Sequence, residues 1–220
     1  SMALPTADRC TQGCSILLQS RRLDHPAPFV APDYAYPLER VRQLVDRGGR
    51  VVRADMQGSD CWWFEYGGRL DVIADDQRIG LELRAIALGI WNYIKNSGRY
   101  DSDNLQLEWL GLYPGRRGSR RLIGRDTLTQ RDVTGGLGRP DAVAYGGWYM
   151  DSHPSGGVLS EKEQCRQLAV ACYGIPFGCL YYPGVTNLLF AGRCASMSYA
   201  AFTSARVMNT CALMGQAAGT

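Results

Sequence analysis

Residues 186–220 read TNLLFAGRCASMSYAAFTSARVMNTCALMGQAAGT, and this stretch decides the expected fold. An apolar run at 187–191 stops at Gly192, which is typical of a buried strand followed by a loop. Apolar residues then recur near helical spacing, at Val207, Cys211, Met214 and Ala218. Thr203 or Ser204 can cap this helix, since a hydroxyl accepts a bond from an N–H of the first turn. The pattern predicts a strand, a Gly-Arg loop and a capped helix that runs from about Thr203 to the chain end.

The start of such a helix is suited to an anion or a carbonyl oxygen. Its first N–H groups lack intrahelical partners, and the helix dipole is positive at that end. Small residues also dominate the segment: Ala200, Ala201, Ala205, Ala212, Gly215, Ala217, Ala218 and Gly219. They allow a ligand to lie close to the helix, but an ordinary strand–helix unit with a small-residue packing face is the alternative.

The pattern LLFAGRCxSxxxAxxSxRVMxTCxxMGQAAGT resembles the C-terminal, flavin-contacting segment of the FAD-dependent oxidoreductase family. Further segments follow the order that this family shows: WWFEYGGRLDVIADDQRI, LRAIALGIWNYIKN, LEWLGLYPGRRGSRRLIG, LTQRDV, AVAYGGWYMDSHPSGG and YGIPFGCLYYPGV. The resemblance covers about residues 12–220. It implies an enzyme that transfers a hydride between a small organic substrate and FAD.

One expected feature is missing from the 220 residues. Flavoproteins of this type open with a strand, G-x-G-x-x-G and a helix, which hold the FAD pyrophosphate. The sequence contains no such motif. We therefore expect this chain to be the C-terminal portion of a longer flavoenzyme whose N-terminal FAD-binding segment lies elsewhere. Alone, it is expected to be inactive and to bind FAD weakly or not at all.

The predicted fold class is α/β. Residues 1–180 are expected to form an α+β substrate domain with a mixed or antiparallel sheet, and residues 1–12 are a candidate linker. Residues 181–220 would supply the last strand and helix of a Rossmann-like FAD-binding domain. A long helix is predicted from about Asp76 to Ser97, because apolar residues recur every three or four positions. A shorter helix is predicted over 37–46, and strands over 105–112 and 142–150.

The resemblance also implies cofactor contacts. Gly192 and Arg193 would lie near the ribityl chain or pyrophosphate of FAD. Ser204, Val207 and Met208 would lie along the flavin, where the helix dipole stabilises negative charge near the C2 carbonyl. Arg206 would reach the flavin or a substrate carboxylate.

Candidate catalytic and substrate residues come from further upstream. His153 is the candidate proton carrier, because histidine exchanges protons near neutral pH, and Asp151 would orient it. The alternative is a histidine held in a polar turn. The resemblance implies that the Ser-Arg-Arg step leads a strand beside the substrate cavity, where Arg120 and Arg121 alternate faces and one of them could point inward. A solvated turn is the default alternative for this arginine cluster. Trp148, which follows a Gly-Gly pair, is a third candidate substrate contact.

Composition excludes several other functions. The net charge of +3 is too small to indicate a nucleic-acid partner, and no apolar run is long enough for a membrane helix. Eight cysteines without C-x-x-C spacing predict buried thiols and no metal site, with a Cys10–Cys14 bridge as an alternative. The compartment is left open. Two other functions stay open: a redox-neutral flavin enzyme, and a non-catalytic module in which tryptophans bind a carbohydrate or polymer.

Overall fold

A computed structural model describes residues 11–48, 64–160 and 165–220. The described helices are α1 (Leu38–Gly48), α2 (Asp76–Asn96), α3 (Gln130–Gly135), α4 (Tyr199–Ala205) and α5 (Met208–Gly219). The described strands are β1 (Leu18–Arg22), β2 (Leu105–Leu110), β3 (Ala142–Gly146), β4 (Met150–Ser152), β5 (Arg166–Leu168) and β6 (Tyr173–Pro176). Five helices with short antiparallel sheets confirm the predicted α/β class in its coarse form.

The described chain divides into two compact units. The first, called the α2 unit, comprises residues 11–48, 64–116 and 154–160. The second, called the α5 unit, comprises Arg117–His153 and Cys165–Thr220. Each unit has its own cluster of buried apolar side chains. The functional boundary expected near residue 180 remains a prediction.

The α2 unit is built around its long helix, as the apolar periodicity predicts. α2 is 21 residues long, and its buried stripe includes Ile79, Leu83, Ile86, Ile90 and Ile94. Gly98 follows the helix with a φ of +72°, a conformation that favours glycine. α1 packs on α2, and β1 pairs antiparallel with β2 from Leu18–Leu110 to Arg22–Leu105. The predicted helices over 76–97 and 37–46 and the strand over 105–112 are therefore confirmed.

The α5 unit contains two short antiparallel ladders, β3–β6 and β4–β5. The strand predicted over 142–150 is interrupted: β3 ends at Gly146 and β4 begins at Met150. A Cβ atom at Gly146 would lie 2.3 Å from the Tyr173 hydroxyl, so only glycine fits beside β6 at this position. α5 packs against β3, and α4 packs against β4.

The predicted strand at 187–191 is wrong. Leu189 forms a single bridge with Tyr181, the Phe190 N–H donates to the Leu180 carbonyl oxygen over 2.8 Å, and residues Gly192–Cys194 form one turn of 3-10 helix. Leu188 and Leu189 are substantially exposed, so this apolar run does not form a buried strand. Apolar composition alone did not distinguish a strand from an extended surface segment.

The predicted start of the last helix is also wrong. α4 begins after Ser198, whose side chain accepts a bond from the N–H of Ala201, and Thr203 and Ser204 lie inside it. The chain leaves helical geometry at Val207, with ψ of 151°, and α5 begins at Met208. One continuous helix was expected, whereas two helices meet at Arg206 and Val207.

Candidate functional site

The β4–β5 ladder positions the first two polar groups of the candidate site. Its three pairs place Asp151 directly opposite Gln167. Directly opposite residues of an antiparallel pair lie close enough for their side chains to interact. Gln167 Nε2 accordingly donates to Asp151 Oδ1 over 3.2 Å.

Three of the predicted residues, Asp151, His153 and Arg206, form one buried cluster. Asp151 Oδ2 lies 2.7 Å from His153 Nε2 and 3.1 Å from an Arg206 guanidinium nitrogen. The same Arg206 nitrogen is 3.4 Å from His153 Nε2. The His153 side chain is 1% exposed and the Asp151 side chain 9%. The structure thus brings together the residues predicted to be catalytic.

The hydrogen-bond chemistry defines the His153 tautomer. A carboxylate can only accept, so the short contact to Asp151 requires a hydrogen on Nε2. When the ring is neutral, Nδ1 is then its basic nitrogen. A histidine oriented in this way by a carboxylate is a common arrangement for proton transfer.

Asp151 is held in its charged form. Burial alone would raise its pKa, but the bonds from His153 and Gln167 and the nearby Arg206 charge lower the pKa below the usual aspartate range. The ionised carboxylate offsets the Arg206 charge and can stabilise a proton on His153.

Ser204 lies in the core of the α5 unit and is 0% exposed. Its hydroxyl donates to the carbonyl oxygen of Trp148 over 2.5 Å, so the Tyr173 hydroxyl, at 2.8 Å, donates to Ser204 Oγ. The predicted cofactor residue Ser204 is therefore bonded within the protein. The Trp148 side chain is half-exposed and packs edge-on against Tyr149.

The other predicted cofactor residues lie on or beside exposed backbone at the start of α5. Met208 is 87% exposed, and Val207 provides no side-chain cap for the helix. The turn that contains Gly192 and Arg193 packs against α5, with Gly192 at a φ of +75° next to Cys211. Arg193 is exposed. Ser204 is therefore buried in the core, whereas Val207 and Met208 lie at the start of α5 and the turn with Gly192 and Arg193 packs against that helix.

Arg120 and Arg121 differ in burial, as their alternation predicts. Arg120 is exposed, whereas Arg121 is buried with its guanidinium carbon 5.6 Å from the Phe202 ring centre and 5.9 Å from that of Tyr199. Arg121 therefore points into the α5 unit against two α4 side chains.

Two residues of this region escaped sequence reasoning. Gln167 follows a segment without clear periodicity, so no signal indicated its register with Asp151. Tyr173 was recognised as part of a YGIP segment, but its bond to Ser204 spans 31 positions and needs the fold. The Gly-Gly pair of the AVAYGG segment indicates a close backbone approach or a bulge, but it does not identify Tyr173 as the partner at Gly146.

Other site chemistries find limited support in the described residues. No group of three His, Cys, Asp or Glu residues there could hold a metal ion. Cys165, Cys172, Cys179, Cys194 and Cys211 are free thiols, and Cys10, half of the alternative bridge, lies outside the described residues.

Trp91 is buried in the α2 unit core, which weakens the idea that the tryptophans line a binding groove. Trp62 and Trp63 lie outside the described ranges. Among the helices of the described ranges, none is both long and apolar enough to cross a membrane.

The Asp151–His153–Arg206 cluster lies next in sequence to a second helix, because Arg206 follows α4 and Val207 precedes α5. The chain belongs to the FAD dependent oxidoreductase family, whose model matches residues 7–220. No curated protein and no solved structure was found to match it.

Proposed function

We propose that this chain forms part of an enzyme that transfers a hydride between a small organic substrate and FAD. The proposal rests mainly on the position of Arg206. This residue ends α4, bonds Asp151 within the His153 cluster, and immediately precedes Val207 and the start of α5. The His153 cluster, which can move protons, is therefore bonded to Arg206. Val207 alone separates Arg206 from α5, whose start can hold a flavin nucleotide.

The residues at the start of α5 are chemically suited to FAD. The first-turn N–H groups lack a side-chain cap. The turn that carries Arg193 packs against α5, and the exposed Arg193 guanidinium donates to the Arg117 carbonyl oxygen over 3.3 Å. A Cβ built at Gly215 would meet nothing within 4 Å, so the helix surface there is open. Donors, a cation and an open face suit the pyrophosphate or a ring carbonyl. Gly192, Arg193, Val207 and Met208 would hold the cofactor, and Ser204 would support α4 from within.

FAD, when bound, supplies the site that takes up or releases the hydride. His153 is the proposed proton carrier, and Asp151 keeps a hydrogen on Nε2, which makes Nδ1 the basic nitrogen of the neutral ring. Arg206 balances the Asp151 charge and attracts a substrate carboxylate. Arg120 and Trp148, which both reach solvent, are the proposed substrate contacts. Arg121 is proposed to border the substrate cavity from its place against Phe202.

Cofactor binding can be tested by equilibrium dialysis of the 220-residue chain against FAD. We expect weak binding, because the sequence contains no G-x-G-x-x-G segment. Arg193→Gln should raise the dissociation constant about fivefold, the effect of losing one charge-assisted bond of about 1 kcal/mol. Arg131→Gln, an exposed change on α3, is the matched control. Equal dissociation constants for Arg193→Gln and Arg131→Gln would remove Arg193 from the cofactor site.

Hydride transfer can be tested by anaerobic mixing of the FAD-loaded full-length flavoenzyme of which we propose this chain is a part, because the 220-residue chain alone is expected to be inactive. Suitable probes are 2-hydroxy acids, secondary alcohols and primary amines, each offering a hydride from carbon. Stoichiometric bleaching of the flavin absorbance by one class supports the proposal and names the substrate chemistry. Turnover of a probe without bleaching would instead favour the redox-neutral flavin enzyme. Binding of FAD without any reaction would count against a catalytic role.

A further inference from the structure

Gln167 controls one side of the Asp151 carboxylate. Its Nε2 atom donates to Oδ1 over 3.2 Å, whereas His153 and Arg206 both approach Oδ2. Gln167 lies on β5, Asp151 lies on β4, and Arg206 lies at the end of α4. The two carboxylate oxygens thus have separate sets of partners.

This division matters because a carboxylate turns easily. The torsion that rotates the Asp carboxyl group is broad, without the sharp minima of an aliphatic torsion. Because the carboxylate is planar, a rotation that carried Oδ2 away from His153 would also break the Gln167 bond to Oδ1. A donor fixed on Oδ1 by the Asp151–Gln167 register defines the carboxylate plane. Gln167 is uncharged, so it adds this constraint without altering the charge of the cluster.

We propose that Gln167 is a positioning residue for His153. By fixing Asp151, it keeps Oδ2 directed at His153 Nε2 and holds the imidazole in the Nε2–H tautomer. The functional meaning of this role rests on the proposed function, in which His153 is the proton carrier. Asp151 and Arg206 are the charged groups bonded around His153 in the described contacts, and both would remain in a Gln167 variant.

The sequence makes this role directly measurable. The chain has two histidines, His25 and His153, so ¹⁵N-histidine labelling gives two sets of ring signals. His25 belongs to the α2 unit and contacts Asp24 through Nδ1 at 2.6 Å, so it provides an internal reference. The measurement uses the purified chain without FAD, and it therefore does not depend on any activity.

Two variants separate the effect of the Gln167–Asp151 hydrogen bond from the effect of the size of the Gln167 side chain. Gln167→Leu removes the donor, and the separation of the two His153 ring-nitrogen resonances should narrow as the second tautomer becomes populated. Gln167→Glu keeps the shape but places a second carboxylate beside Asp151. The added negative charge should make His153 take up a proton at a higher pH than in the unaltered chain. The His25 signals should stay unchanged in both.

Arg166→Ala is the control for damage to the strand. Arg166 is exposed, lies on the same short strand and pairs with Ser152 in the same ladder. It should leave the His153 signals unchanged. The proposal is overturned if Gln167→Leu and Gln167→Glu leave the His153 resonances in place, or if Arg166→Ala moves them equally. If Gln167→Leu does not fold, Gln167→Met, which matches the length of the side chain and also lacks the donor, takes its place in the same comparison.

The two proposals can fail separately. Altered His153 signals without any flavin bleaching would uphold the positioning role and reject the redox function. Flavin bleaching with unaltered His153 signals would uphold the redox function and reject the role of Gln167.

Discussion

The Tyr173 hydroxyl donates to Ser204 Oγ over 2.8 Å, and both residues are fully buried in the α5 unit. The Ser204 hydroxyl in turn donates to the carbonyl oxygen of Trp148. Burial raises the pKa of the Tyr173 hydroxyl, which keeps it protonated and able to donate. This relay joins β6, α4 and the segment that leads into β4. It therefore supports the strand on which Asp151 is placed.

Tyr173→Phe should destabilise the protein by about 1 kcal/mol, the usual net value of one hydrogen bond. Ser204→Ala should cost more, about 2 kcal/mol, because it leaves the buried Tyr173 hydroxyl without its acceptor and also removes the bond to the Trp148 carbonyl. Urea denaturation of the two variants measures the difference. Tyr145→Phe, at a half-exposed position of β3, should be close to neutral. A cost for Tyr173→Phe larger than that for Ser204→Ala would contradict the assigned bond directions.

The Asp151 carboxylate should make stability depend on acid. Its folded-state pKa is depressed below the unfolded value of about 3.9. The stabilisation it gives is therefore complete above that value and is lost as the pH falls through the folded-state pKa. Asp151→Asn should lower the free energy of unfolding near neutral pH. As the pH falls, the free energy of unfolding of this variant should decrease less than that of the unaltered chain.

Unfolding free energies between pH 7 and pH 3 test this, with the unaltered chain as the reference. An Asp151→Asn curve parallel to that reference throughout would show that Asp151 does not contribute to the acid dependence.

His153→Gln should slow flavin bleaching by the active probe about 10²- to 10⁴-fold, the usual contribution of a general acid or base. The dissociation constant for FAD should stay the same, because His153 lies outside the proposed cofactor group. The comparison is with His25→Gln, an exposed histidine of the α2 unit, which should leave both quantities unchanged. Rapid-mixing absorbance gives the rate and dialysis gives the affinity. Bleaching at an unaltered rate in His153→Gln would restrict His153 to a structural role.

Two glycines of the α2 unit should respond differently to alanine. Gly98 has a φ of +72° and nothing within 4 Å of a built Cβ, so Gly98→Ala should cost about 1 kcal/mol from backbone strain alone. Gly67 has a φ of +88°, and its Cβ would lie 2.7 Å from Ile79 Cδ1 in the core. Gly67→Ala should therefore cost about 1–3 kcal/mol more, through overpacking.

Thermal or urea unfolding ranks the two glycine variants. Equal losses would mean that Ile79 moves aside without cost.

Sequence reasoning succeeded where the information was local. The α2 periodicity from Ile79 to Ile94 needs no partner to be recognised, and Gly98 marks its end. His153 and Asp151 are two positions apart, so their pairing could be anticipated. The alternation of Arg120 and Arg121 likewise follows from local geometry.

Sequence reasoning failed where contacts between residues far apart in the chain determine the local structure. Nothing in Ser-Ala-Arg-Val-Met forbids a continuous helix, yet Arg206 is bonded to Asp151, which lies 55 positions earlier. The break before α5 accompanies that long-range bond. Residues 187–191 are apolar enough for a strand, but only Leu189 finds a bridging partner. The Gln167–Asp151 contact depends on strand register, which composition does not specify.

Because α4 and α5 are separate helices, a change in the position of α5 need not change the position of Arg206. One residue inserted after Arg206 would lengthen the non-helical link to α5 without continuing either helix, because the chain already leaves helical geometry at Val207. The salt bridge of Arg206 with Asp151 would stay where it is, because α4 holds it. Natural variants can thus redirect the outer surface of the final helix without disturbing the acid–base pair.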